Sequence, residues 1–323
     1  MQTVLVTGGA GFVGSHLCEK LLARNYKVIC LDNFATGQTE NLAHLAGDNF
    51  LCSKGDANSK ETVEALFKEH RFTGVFHYAA MVGVKRTMEN PTDVLKDAEG
   101  IQNIFAAALA YGKPKIVFAS SSEIYGEPVE IPEREDGHIN AKLPYAVVKL
   151  YGEKMVEAYW QKYSLPGCAL RFFNVYGPRQ ESSDYGFVGG IFIKRALEGK
   201  SPLIFGDGTQ TRDFVYIDDN IEAAIRAFES YATNGEIINI GTGRPTTILD
   251  LAEEVIELCN MTGKIKPEFV PARDDVKHRF PDVSKMRRLL NFRPAITLQE
   301  GLRRTIEWCK QIPDAKHESE KLS

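Results

Sequence analysis

Tyr145 and Lys149 stand four residues apart in the run Pro144-Tyr145-Ala146-Val147-Val148-Lys149. On a helix, that interval puts a phenol and an ammonium on one face. A neighbouring cation favours phenolate over phenol, so the pair could form a base whose pKa, ordinarily near ~10, is drawn toward the working range. By itself the interval suits two unrelated residues on an amphipathic helix equally well. Ser120-Ser121-Ser122 alters the balance, because it follows the apolar run Lys115-Ile116-Val117-Phe118-Ala119. Parallel sheets gather reacting groups at such strand carboxyl ends, where a serine hydroxyl can bond the oxygen that Tyr145 deprotonates.

A second chemistry is written at the amino terminus. Thr7-Gly8-Gly9-Ala10-Gly11-Phe12-Val13-Gly14 begins where the apolar run Val4-Leu5-Val6 ends, and opens into a helical pattern. Strand, glycine-rich turn and helix in that order aim free N–H groups and a positive dipole end at a pyrophosphate. Glycine is needed there for the turn, for close backbone approach and for helix–strand packing. The next apolar strand, Val28-Ile29-Cys30-Leu31, ends in Asp32, whose carboxylate can take both hydroxyls of an adenosine ribose. No Arg or Lys follows Asp32 closely, so a 2′-phosphate would meet uncompensated negative charge. The reading is NAD rather than NADP.

These groups need a scaffold. Apolar runs predict strands near 3–7, 27–31, 49–52, 74–77, 115–119 and 167–172, alternating with helical patterns near 12–24, 59–69, 92–111 and 144–163. Pro91 opens the third helix, and Tyr111-Gly112 with Pro114 ends it. The alternation predicts an α/β fold, a doubly wound parallel (Rossmann) sheet covered on both faces. Beyond residue 174 the pattern loosens into short strands (203–205, 213–217, 236–240) and helices starting near Asp219, Ile248 and Leu298, with Asp218 and Thr247 as N-caps. The expected division is 1–174 for the dinucleotide-binding domain, with a later return near 214–241, and 175–323 mainly for a smaller substrate lobe on the strand carboxyl ends. Asp314 to Ser323 are polar and read as a frayed end.

Bulk properties narrow the partners. The 323 residues are 43% hydrophobic and carry a formal net charge of -4, which argues against nucleic acid or an anionic membrane as partner. No apolar run is long enough to span a bilayer, and the chain begins directly on a core strand. The six cysteines (18, 30, 52, 168, 259, 309) are scattered and read as reduced thiols of a cytoplasmic protein, with no metal site. The helices near 92–111 and 144–163 carry apolar residues on more than one face (Ile101, Ile104, Phe105, Leu109; Leu150, Met155, Tyr159, Trp160), which asks for a second partner.

Together the motifs resemble the extended short-chain dehydrogenase/reductase superfamily, in its NAD-dependent nucleotide-sugar epimerase/dehydratase branch. The resemblance covers nearly the whole chain. It rests on Thr7-Gly8-x-x-Gly11-x-x-Gly14, Asp32-Asn33-Phe34-Ala35-Thr36-Gly37, Asp56 after a strand and His77-Tyr78-Ala79-Ala80. It continues through Ser120 to Gly126, the Tyr145/Lys149 pair, Arg171 to Arg179, and Phe205 to Asp219. The resemblance implies a nucleoside-diphosphate sugar as substrate, with Tyr145 taking the sugar O4 proton while C4 gives hydride to NAD. It further implies that Lys149 holds the nicotinamide ribose, Ser121 bridges Tyr145 and O4, and Asp56 meets the adenine. The implied cofactor contacts also include Gly8, Gly11, Phe12, Val13, Gly14, Asn33, Ala57 and Ala79. Ser122, Asn174, Arg179 and Arg212 fall at substrate-holding positions, an Arg being suited to phosphate by its planar fork. Arg212 would otherwise pair with Asp213 or Asp207. Arg273 departs from the family pattern, since Arg273-Asp274-Asp275-Val276 lacks the usual Gly-Asp. His77 reads as a strand-end packing residue. The family also suggests a homodimer through the two long helices.

Glu123 divides the possible reactions. Relatives that eliminate water or CO2 place a Glu two residues beyond the catalytic Ser, on the C5 side of the sugar, as here. Val82-Gly83-Val84-Lys85-Arg86-Thr87 with Glu89-Asn90-Pro91 resembles 4-epimerases instead. The order of expectation is 4-epimerase, then 4,6-dehydratase using Glu123, then uronate decarboxylase, with a non-catalytic NAD-binding regulator last.

Overall fold

A computed structural model describes residues 1–183, 186–272 and 276–311. Seven parallel strands form the main sheet, in the order β10-β6-β5-β4-β1-β2-β3. They are β1 (Thr3–Thr7), β2 (Lys27–Asp32), β3 (Phe50–Lys54), β4 (Gly74–His77), β5 (Lys115–Ser121), β6 (Gly167–Phe172) and β10 (Glu236–Ile240). β1 and β4–β6 are near-continuous runs of buried residues, as a sheet covered on both faces requires. The connecting helices are α1 (Phe12–Ala23), α2 (Lys60–Glu69), α3 (Val84–Glu89), α4 (Pro91–Ala110) and α5 (Pro144–Tyr163). Pro91 and Pro144 occupy first-turn positions, where a missing N–H costs nothing.

The later half contains β7 (Asn174–Tyr176), α6 (Val188–Leu197), β8 (Leu203–Phe205), β9 (Thr211–Tyr216), α7 (Ile217–Glu229), β11 (Pro245–Thr247), α8 (Ile248–Leu258), β12 (Glu268–Val270), α9 (Ser284–Leu290) and α10 (Leu298–Gln311). β11, β9 and β7 make a three-stranded sheet, and β12 pairs with β8. Thr247 caps α8 by accepting the Asp250 N–H at 2.9 Å. Asp218 does not cap α7, because the helix begins at Ile217 on Tyr216 and Asp218 lies inside its first turn. The expected strand 213–217 is in fact Thr211–Tyr216.

Two apolar cores lie on opposite faces of the large sheet. One runs from Val4, Val6 and Leu17 to Ile225 and Leu302, and joins the first half to the second. The other packs α2, α4 and α5 against Leu5, Ile29, Ile116 and Phe118. Ile101, Ile104 and Phe105, cited above as residues in want of a partner, are buried in this second core. Trp160 likewise covers Gly235. Leu95, Leu143 and Val147 stay exposed, at 42–48%. Among the described residues the cysteines are free thiols: Cys18, Cys30, Cys168 and Cys259 are buried, and Cys52 is exposed. Among the same residues no helix is long and apolar enough to cross a membrane.

Candidate active site

The glycine-rich turn is shaped for a ligand that comes against backbone. Gly8 takes φ +70°, and a Cβ there would lie 2.7 Å from the Ala79 nitrogen. A Cβ on Gly14 would lie 2.1 Å from the Gly8 oxygen. The first turn of α1 therefore nests on the turn before it, with no acidic side chain in it and no side chain capping its N–H groups. Phe12, Val13 and Gly14 open that helix. Its first N–H groups and the positive end of its dipole are of the kind that suit an anion.

Asp32 ends β2 beside this turn. Its carboxylate accepts the Ala10 N–H and the Phe34 N–H, each at 2.8 Å, one on each oxygen. Each oxygen keeps lone pairs for further donors, as a grip on vicinal hydroxyls requires. Asn33 donates to Asp56 at 3.3 Å, and Asp56 also accepts the Asn58 N–H at 2.9 Å. Ala57 is buried next to them, its carbonyl bonded by Asn103. Ala79 donates its N–H to the Thr7 hydroxyl at 3.1 Å. That hydroxyl also meets His77 Nδ1 at 2.8 Å. His77 is buried on the Phe118 ring, and burial pushes its pKa down to about 3. It is a neutral strand-end residue, as its sequence position implied.

Ser121 and Tyr145 lie near one another. β5 carries Ser121 to its carboxyl end, α5 begins at Pro144, and the Ser121 hydroxyl beside the phenol draws its pKa down. Burial acts more strongly in the opposite direction, and the Glu123 and Asp97 carboxylates add to it, so the phenol pKa lies above its ordinary value. The sequence-based picture of a phenol lowered by Lys149 is corrected here. The Lys149 ammonium lies 5.5 Å from the Tyr145 ring centre and 5.2 Å from that of Phe118. Burial lowers Lys149 itself to about 8, against the pull of Asp97. Asp97, on α4, accepts the Met81 N–H at 2.8 Å and was not identified from the sequence.

The three serines divide their work. Ser120 donates to Glu153 at 2.6 Å, behind the site. Ser121 also accepts the Glu123 N–H at 3.2 Å, while Ser122 is buried in the turn that follows. Tyr145, Lys149 and Glu153 recur every four residues, so one face of α5 carries the phenol, the ammonium and an anchor. Glu153, the anchor, is held by Arg171 on β6, which donates to both Glu153 oxygens at 2.8 Å and to the Tyr125 hydroxyl at 2.8 Å. Tyr125 in turn donates to Asn239 of β10 at 2.7 Å.

Glu123 is paired with Arg279 in a short hydrogen-bonded contact. Arg279 also donates to the Gly126 carbonyl at 3.1 Å and is 3% exposed. Sequence reasoning missed it, attending to Arg273, which lies outside the described residues. Arg279 follows His278, which bridges to Thr211 on β9, and its own N–H is held by the Thr211 carbonyl, a long-range pairing that sequence spacing does not show. Asn174 donates to the Asp213 carbonyl at 3.3 Å. Arg212 is buried and donates to the Thr211 carbonyl at 2.9 Å, while the Asp213 carboxylate is taken by Thr242 and the Arg244 N–H. Arg179 is held by Glu19 at 2.8 Å and by Ser15 at 3.3 Å on α1, where the described contacts tie it to the glycine-rich side rather than to Tyr145.

Residues 4–241 match the family model for the NAD dependent epimerase/dehydratase family. The chain belongs to that family. It is 36% identical to a UDP-N-acetyl-alpha-D-glucosaminuronate decarboxylase of Bacillus cytotoxicus, with 95% of this chain and 98% of the relative covered. Among solved structures it is similar to the UDP-glucose 4-epimerase of Thermotoga maritima with UDP-glucose, at TM-score 0.90 and 35% identity, with 96% and 99% of the two chains covered. It is also similar to the UDP-glucuronic acid 4-epimerase of Bacillus cereus in complex with UDP-glucuronic acid and NAD, at TM-score 0.87 and 33% identity, covering 96% and 99%. The extended short-chain resemblance and the doubly wound sheet are thus borne out within this family.

Proposed function

We propose that this protein is an NAD-dependent enzyme acting on a nucleoside-diphosphate sugar through a 4-keto intermediate, with 4-epimerisation as its reaction. The observation that carries the reading is the contact of Ser121 with Tyr145, one helical turn from a buried Lys149. NAD, when bound, supplies the acceptor for the C4 hydride and returns it. Tyr145 takes the O4 proton and gives it back, and Ser121 fixes the direction of that transfer. Asp32 holds the ribose hydroxyls, and the first turn of α1 meets the pyrophosphate. Lys149 adds positive charge beside the phenolate as it forms, offsetting the burial that opposes its ionisation. Asn174 and Arg212, on neighbouring strands of the small sheet, hold the sugar-diphosphate. The division of labour follows: residues 1–174, with β10 returned to the main sheet, bind the dinucleotide, and the remainder serves the sugar nucleotide.

Glu123 supports epimerisation over 4,6-dehydration. Its Oε1 is already engaged by the buried Arg279 guanidinium rather than held free for a C5 proton. Decarboxylation of a uronate is the second reading, and the same pair favours it. Arg279 puts a buried cation beside the serine turn, and a 4-keto acid loses CO2 with no C5 proton taken by the protein. Product NMR over a panel of NDP-hexoses and NDP-uronates tests both readings: a C4 epimer supports the first, and released CO2 supports the second. A 4-keto-6-deoxy methyl signal would replace both with dehydration. The exposed Leu95 on α4, Leu143 beside α5 and Val147 on α5 support a homodimer through these helices. Light scattering at micromolar concentration tests that assembly, and a strict monomer refutes it.

A further inference from the structure

Among the described residues neither oxygen of the buried Glu133 carboxyl has a hydrogen-bond partner, and the residue is 3% exposed. Its backbone is nonetheless tied on both sides. The Glu133 N–H donates to the Phe280 carbonyl at 2.9 Å. Its carbonyl accepts from the Asp282 N–H at 2.8 Å and from Asn239 Nδ2 at 2.9 Å. The first two of these bonds fall just after Arg279, whose own N–H is held by the Thr211 carbonyl at 3.1 Å. The Arg279 Nε, which has no hydrogen-bond partner among the described residues, is thereby fixed 3.9 Å from a Glu133 oxygen. That is too long for a hydrogen bond and close enough for strong charge coupling in a buried setting. Nη1 and Nη2 are meanwhile committed to Glu123 and the Gly126 carbonyl. One guanidinium stands between two carboxyls, one facing the serine turn and one behind.

We propose that Glu133 is a positioning residue: from behind Arg279 it sets how firmly the guanidinium holds Glu123, and through Glu123 the charge felt by the Tyr145 phenol. The part concerning Tyr145 rests on the catalytic reading above. The coupling of Glu133 to Arg279 and Glu123 stands on the contacts alone.

Four charged groups face Glu133: Arg279, Glu123 from the turn after β5, Arg212 from β9 and Arg171 from β6. Burial raises its pKa first and Glu123 adds to the rise, while the three arginines oppose both, with about 8 as the outcome. While Glu133 is neutral it makes no claim on the guanidinium, and Glu123 is fully compensated. Once ionised, it competes for the cation from the Nε side. Glu123 is then less compensated, and its charge already opposes ionisation of the phenol. Ionisation of the phenol should therefore be held back as pH rises through about 8. A lone phenol would go on ionising.

The test uses the full chain in two arms. In the first, carboxyl 13C NMR should show a glutamate titrating near pH 8 that is absent from Glu133→Gln and moves to lower pH in Glu123→Gln, where the like charge is gone. In the second, the pH profile of kcat/KM on the substrate found by the product screen should level off above about pH 8 in the native enzyme. It should go on rising in Glu133→Gln, and also in Glu133→Leu if the Gln variant fails to fold. A Glu133 signal titrating in the ordinary carboxylate range, or no response to Glu123→Gln, overturns the coupling. A plateau that survives in Glu133→Gln overturns the link to Tyr145. If no sugar nucleotide turns over, the catalytic reading has failed, and the NMR arm alone decides the inference.

Discussion

Glu153 receives Arg171 through two bonds of 2.8 Å, with side-chain exposures of 0% and 1%. The pair fastens α5 to β6 and so fixes the distance at which Tyr145 meets Ser121. Arg171→Met would leave a carboxylate buried without its cation and the Tyr125 hydroxyl without a donor. The expected loss is about 3–5 kcal/mol in denaturant unfolding. Arg171→Met with Glu153→Leu should lose less than Arg171→Met alone, since an apolar pair of similar volume leaves no orphaned charge.

Tyr145→Phe removes the proposed base with little change of shape. Turnover should fall by about two to four orders of magnitude, the usual scale for a positioned proton-transfer group. Calorimetric affinity for the sugar nucleotide should change far less. Near-native turnover would reject the assignment.

Glu123→Gln separates the reactions. For an epimerase the cost should be small, because no proton passes through this side chain. For a dehydratase it should reach orders of magnitude, with enzyme-bound NADH accumulating as the 4-keto sugar stalls. Stopped-flow absorbance reads that accumulation directly.

Asp32→Asn keeps the shape but removes the charge, and its amide nitrogen can no longer accept one of the two backbone N–H groups. Losing charge-assisted bonds to the ribose should cost about 1.5–3 kcal/mol of NAD affinity. Retention of endogenous dinucleotide through purification and dialysis is the measurement. A native protein that prefers NADP by a large factor would contradict the reading of Asp32.

Two histidines make acid stability predictable. Burial pushes His77 from 6.5 to about 3 and His16 from 6.5 to about 4, the latter also disfavoured by Arg179. Above about pH 6.5 both are neutral, folded or unfolded. Below it the unfolded chain binds protons that the folded chain refuses. Stability should therefore be full above pH 6.5 and decline as pH falls toward about 4, at ~1.4 kcal/mol per pH unit for each histidine while it lags. A flat Tm between pH 6.5 and 4.5 would contradict this (~1.4 kcal/mol per unit being readily visible).

Much of this was legible in the sequence because it is local. The strands of the main sheet are apolar runs bounded by turns, and Ser121, Tyr145, Gly14 and Asp32 sit at strand or helix ends that those runs define. Helices α3, α6 and α9 and strands β7, β11 and β12 escaped; α3, α9 and the three strands are too short for a period to emerge, whereas α6 is as long as α2, which was read. Arg279 and Glu133 escaped for a different reason. They lie in irregular chain, and only the pairing of residues 133 and 281, far apart in sequence, brings them together. The Tyr145 phenol was misjudged because i, i+4 spacing reports neighbours on a helix but says nothing of burial, which decides the direction here.

The position of β10 has a consequence for biosynthesis. Six of the seven parallel strands are complete by Phe172, but the seventh is drawn from residues 236–240. Until then the β6 edge of a nascent chain presents unpaired backbone groups, open to a strand from another molecule. β10 also carries Asn239, which accepts from Tyr125 and donates to the Glu133 carbonyl. The same late strand that closes the edge therefore locks the polar network behind the serine turn. A translation product interrupted before residue 236 would hold the glycine-rich turn and Tyr145, yet lack the part that braces them.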